Sequence, residues 1–263
     1  MTNLAFELIN RKSYITDIYS KIMVGLHFGN PTRKSTLNKA RVFLNTIFVI
    51  DLLKKEWEKL GNEAKGILKY EFKSFVLGMK DCDYKKCVKD ILEYRKNYGL
   101  KENEEYINDY LFNKLDLKKI KYESLNDYAD EVFRKFEMTG LLIARGKFKH
   151  IYYDFSNFNY KKIESLLNAY KNYDFKEFSN TEEYINFLDN IKLPWLDNYE
   201  VRKEVIKQKA KNLNIKLKDS DFENLNIFEE SLNQKFYNKA LQTAILQSDI
   251  NELLEELKIL ASL

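Results

Sequence analysis

Apolar residues recur at three- and four-residue spacing along nearly all of the chain, which predicts helices, and residues 133–170 are the one stretch where the period changes. The first predicted helix covers residues 3–27, with Leu4, Leu8, Tyr14, Ile15, Ile18, Ile22 and Met23 on its apolar side. Gly25, Gly29, Asn30 and Pro31 break it. A second helix is predicted over 32–53, capped by Thr32. Its opening turns carry Arg33, Lys34, Ser35, Lys39 and Arg41 before the apolar run Phe43, Leu44, Ile47, Phe48, Ile50, Leu52 and Leu53. Residues 54–99 read as two helices divided near Gly61 or Gly66, one burying Tyr70, Phe72, Phe75, Val76 and Met79, the other Val88, Ile91, Leu92 and Tyr94. Arg95 and Lys96 ahead of Tyr98-Gly99 suit a helix end, and 101–121 is a polar connector or short helix.

Helical spacing returns at Tyr128, Val132, Phe133 and Phe136, and Thr139-Gly140 stops it. Leu141 to Ala144 and the run Phe148, Ile151, Tyr152, Tyr153, Phe155 then flank Arg145-Gly146-Lys147, which predicts two short strands around a glycine-containing turn. Ser156 or Asn157 is the expected cap of a helix burying Tyr160, Ile163, Leu166, Leu167 and Tyr170. Helix, hairpin, helix is the outline of a winged helix. An acidic aromatic helix is expected over 175–188, followed by the rigid LPWL at 193–196 as a packing staple. Lys203, Lys207, Lys209, Lys211, Lys216 and Lys218 make a basic helix, and 238–260 reads as amphipathic with an acidic end.

Composition adds that helices dominate, because only 8 Gly and 2 Pro punctuate 263 residues. A net charge of +4 over 44 basic and 40 acidic side chains does not by itself announce nucleic acid, so the placement of charge decides. Two places matter. Arg145, Lys147, Lys149 and His150 have no acid between Glu137 and Asp154, which suits a phosphate backbone. Arg33, Lys34, Ser35, Lys39 and Arg41 at a predicted helix start oppose the macrodipole, which phosphate contact would explain. A lysine-rich chain also yields a basic hairpin tip by composition, and a solvated helix start accounts equally for the second cluster.

Candidate chemistry is sparse. Cys82 and Cys87, without a second Cys or His cluster, are expected as reduced thiols of a cytoplasmic protein, and no apolar run reaches the roughly 18 residues of a membrane span. His27 and His150 are the only histidines, and no glycine-rich phosphate loop is present. The one Glu-x-Lys, Glu71-Phe72-Lys73, sits in helical surroundings, whereas restriction nucleases place this pair on a strand next to a metal-binding Asp. No catalytic residue, metal ligand or cofactor is assigned.

Four blocks in order resemble the type IIS restriction endonucleases of the AlwI family. They are NPTRKSTLNKAR at 30–41, KYEFKSFVLGMKDCDYKKCVKDILEYRKN at 69–97, FRKFEMTGLLIARGKFKHIYYDFSNFNYKKIESLLNAY at 133–170, and the acidic helix with LPWL at 181–196. That resemblance implies a helical and winged-helix half that recognises an asymmetric site in double-stranded DNA, joined by a helical linker to a Mg²⁺-dependent nuclease domain. By it, residues 1–122 are a helical DNA-binding domain, 123–196 a winged-helix-like domain and 197–263 the linker. The nuclease domain is expected beyond this chain or on a second subunit, the chain being a fragment, a split subunit or the product of a degraded gene. The fold expected is mostly α with a small β-hairpin. The alternatives are a helical scaffold without DNA affinity and a complete nuclease with an unrecognised site.

Overall fold

Helix α1 (Ile15–Gly25) leads to α2 (Val42–Lys59), whose run VFLNTIFVI is buried on every side. A helix apolar all round belongs inside the core, and its two polar residues are satisfied there. Thr46 Oγ1 donates to Val42 O at 2.7 Å, and Asn45 Nδ2 donates to Asp81 O at 3.1 Å while its Oδ1 accepts from Tyr173. The structure, a computed structural model, describes residues 15–27, 29–32, 40–79, 81–115, 122–146, 151–212, 214–218 and 222. It divides into two units, Met1–Asp197 and Asn198–Leu263.

In the first unit β1 (Ile67–Leu68) precedes the helical turn Lys69–Glu71, which widens into a π-helical segment, Phe72–Val76. Helices α3 (Tyr84–Tyr98), α4 (Glu104–Leu115) and α5 (Tyr122–Glu137) follow. Strands β2 (Leu142–Arg145) and β3 (Tyr152–Phe155) form the predicted hairpin. Helices α6 (Tyr160–Ala169), α7 (Thr181–Asp189) and α8 (Pro194–Asp197) complete the unit. The sheet is antiparallel in the order β1-β3-β2, with Ile67 opposite Tyr153 and Arg145 opposite Tyr152. Its inner side carries Tyr153, stacked on Phe133 with ring centroids 3.4 Å apart and edge-on to Phe72 at 5.2 Å, so β3 is fastened to α5 and the π segment.

Several sequence expectations change. The helix expected from Thr32 begins at Val42, with Ala40 and Arg41 outside it, so Arg41 is the residue before the helix rather than part of its opening turns. β1 was not expected. Two residues are too short for a period-2 signal, and the strand exists because Gly66 lets β1 approach β3: a Cβ there would stand 2.0 Å from Tyr153 O. Residues 173–178 are not helical, because Asn180 caps α7 by accepting from Glu183 N at 2.9 Å while Glu183 Oε2 accepts from Ser179 N at 2.8 Å. Between β3 and α6, Asn157–Asn159 form a 3₁₀ turn, and neither Ser156 nor Asn157 caps α6. Gly140 does stop α5, at φ +69°. Cys82 and Cys87 are both free thiols.

In the second unit α9 (Tyr199–Asn212) buries Ile206 and Ala210 against Ile215, Leu217 and Phe222. Lys209 is buried, and the Lys203 ammonium sits 4.9 Å from the Phe222 ring centroid, so part of the basic run packs rather than facing solvent. The helix predicted over 238–260 lies outside the described residues. No described helix is long and apolar enough to cross a membrane.

Candidate nucleic-acid interface

The described residues on either side of the first basic cluster are anchored by buried polar groups. On its N-terminal side His27 is fully buried among the rings of Phe175, Phe178, Tyr184 and Phe187 at centroid separations of 5.2 to 6.3 Å. Its Nε2 accepts from Lys176 N at 3.2 Å, which assigns the ring proton to Nδ1, the donor to Gly25 O at 2.8 Å. Desolvation by burial lowers its pKa to about 4 against the Gly25 hydrogen bond, with Arg41 and Lys176 adding to the fall, so the ring is neutral near pH 7. Asn30 follows, donating through Nδ2 to His27 O and accepting at Oδ1 from the Thr32 amide at 3.0 Å and from the Thr32 hydroxyl. This is a side-chain turn that fixes the exit of the chain.

On the C-terminal side stands Arg41, 6% exposed. Its Nη2 donates to Val24 O at 2.7 Å, in the last turn of α1, and its guanidinium lies 5.6 to 5.9 Å from the ring centroids of Tyr170, Tyr173 and Phe187. A cation at a helix C-terminus among aromatic faces is well placed electrostatically. Arg41 therefore joins the start of α2 to the end of α1 from inside the protein. Arg33, Lys34, Ser35 and Lys39, between the two clamps, lie outside the described residues.

The second cluster is on the hairpin. Arg145 ends β2, half-buried, with Nη2 donating to Phe155 O at 3.4 Å and to Asn157 Oδ1 at 3.2 Å. Glu137, at the end of α5, holds the neighbouring strand residue by accepting from Ala144 N at 2.9 Å. Lys147, Lys149 and His150 lie outside the described residues. By sequence Asn157 is a candidate helix cap and nothing more. Its place beside Arg145 depends on a chain reversal that local spacing does not encode.

The Glu-x-Lys pair is sealed. Glu71 and Arg95 are fully enclosed, with Arg95 Nε 2.7 Å from Glu71 Oε1 and Nη2 2.7 Å from Oε2, while Oε2 also accepts from Leu68 N at 2.8 Å. Arg95 Nη2 further donates to Gly66 O at 2.9 Å, tying α3 to the strand entry. Lys73, also buried, donates to Asn126 Oδ1 at 2.8 Å and lies 3.5 Å from Glu102 Oε1. Desolvation brings its pKa down to about 8 against the pull of Glu102.

The described residues form a largely helical fold with a small three-stranded antiparallel sheet. The chain belongs to the AlwI restriction endonuclease family, whose model matches residues 1–262. It is thus a member of a family of DNA-directed restriction nucleases. No curated protein matches the chain. Cleavage by such enzymes uses divalent cations held by converging carboxylates. Among the described residues no three His, Cys, Asp or Glu side chains are grouped to hold a metal, and both Glu71 oxygens are already engaged, so the described residues do not fit that ion.

Proposed function

We propose that this chain binds double-stranded DNA and supplies site recognition to a type IIS restriction or nicking endonuclease, with metal-dependent cleavage contributed by a domain or subunit outside it. The family match over residues 1–262 supports the DNA-directed restriction part of this reading. The sheet order β1-β3-β2, with a basic hairpin directly after a helix, supports a winged-helix-like recognition unit. The sealed Glu71-x-Lys73 pair supports placing the carboxylates that cut elsewhere.

In this reading Arg33, Lys34, Ser35 and Lys39 form one contact patch and Arg145, Lys147, Lys149 and His150 another, most of them on phosphates, which position the protein without reading sequence. Arg41 holds the first patch in place from within. The test is duplex binding across salt concentration. Log affinity is expected to fall linearly with log salt, with a slope of about −0.9 per phosphate neutralised. Absence of binding even at low salt removes the proposal. Mg²⁺-dependent nicking of plasmid by this chain alone would instead support a cleavage site within it.

A further inference from the structure

β2 is an edge strand of the sheet, so the side chain of its last residue can lie along the sheet margin. Register places Arg145 opposite Tyr152, yet its guanidinium bonds Phe155 O and Asn157 Oδ1, three and five residues further along the chain. At a strand rise of about 3.3 Å per residue Phe155 lies some 10 Å from Tyr152 toward the hairpin base, so the side chain points back along the sheet margin. The guanidinium therefore lies beside the 3₁₀ turn Asn157–Asn159 rather than at the basic tip.

What holds it there is neutral. A carbonyl and an amide oxygen engage Nη2, Nε is enclosed without an acceptor, and no carboxylate among the described residues pairs with the group. Bonds of 3.2 and 3.4 Å to uncharged acceptors leave the positive charge unspent and are readily exchanged. They do restrict the plane of the fork. A phosphate contact needs charge and tolerates any approach, which Lys147 and Lys149 can supply. A guanine edge needs two coplanar N–H groups in a set orientation, which only arginine offers.

We infer that Asn157 is a positioning residue that orients the Arg145 guanidinium to read one guanine in the recognition site. This rests on the DNA-recognition reading above. The test selects bound duplexes from a randomised library with the full chain and with the N157A, N157D and R145K variants, alongside affinity for a non-specific duplex. Wild type is expected to enrich a motif containing guanine. N157A and R145K should lose about tenfold or more of the preference at the same single position, with non-specific affinity and salt slope unchanged. N157D, whose carboxylate would spend the guanidinium charge in an ion pair, should lose the preference at that position as well. If wild type enriches a motif and the variants leave every position unaltered, or weaken all equally, the inference is overturned while DNA recognition stands. If wild type enriches no motif, the recognition reading fails and the inference with it.

Discussion

The indole Nε1 of Trp195 donates to Asp17 Oδ1 at 2.9 Å, the same oxygen that receives the Lys162 ammonium at 2.8 Å. All three side chains are buried, and the ammonium lies 5.0 Å from the Trp195 ring centroid. The LPWL motif is thereby pinned to α1 and α6 by a charge-assisted bond as well as by packing. D17N is expected to cost about 3–5 kcal/mol in urea unfolding, because it strands a buried ammonium. W195F should cost at least about 1.5 kcal/mol for the bond lost to a charged acceptor. The double variant should cost less than the sum, which a double-mutant cycle measures.

His27 makes stability pH-dependent. The folded ring takes a proton only near pH 4, whereas the unfolded chain takes it near 6.5. Between these values the unfolded state binds more protons, so stability falls as pH drops from about 6.5 to 4. The contribution is fully present above that window. The loss attributable to His27 is at most about 3.5 kcal/mol. H27Q, which does not titrate, is expected to be less stable at pH 7 but to show a flatter profile through this window in chemical denaturation.

Arg41 and the hairpin cations should separate by readout. R41M removes the anchor on Val24 O and is expected to lower the melting temperature by several degrees. Its effect on affinity should follow only from the loss of that anchor. K147E combined with K149E should leave the melting temperature nearly unchanged and make the salt slope shallower by about 2, from two phosphates no longer neutralised. EDTA is expected to leave binding by either protein unchanged.

Gly66 leaves no room for a side chain between the β1 strand entry and β3. G66A drives a methyl group into Tyr153 O, a backbone atom that cannot turn aside, and so must separate β1 from the hairpin. The expected cost exceeds the roughly 1–3 kcal/mol of ordinary overpacking. Amide exchange at Lys69, whose N–H donates to Ile151 O at 3.0 Å, should accelerate more than at α3.

Local chemistry in the sequence was enough for the central helix, because VFLNTIFVI admits no exposed face, and for the stop at Gly140, where positive φ suits glycine. The hairpin was legible too, since its β-rich runs flank a glycine turn. The third strand was not, being two residues that exist only through pairing with a segment some 85 positions away. Nor was the start of α2. Basic residues after a capping threonine look like a helix opening, and only the buried contacts of Arg41 with α1 and three aromatic rings show it preceding the helix.

Periodicity and turn chemistry alone thus determined a mostly helical protein with one basic hairpin, and motif order pointed to its family, because these signals are carried by neighbouring residues. Tertiary structure decided which charges face inward. Glu71, Arg95, Arg41, Asp17 and Lys162 are polar letters like any others in the sequence. Their burial rests on partners 17 to 178 residues away, whose contacts offset the cost of leaving water.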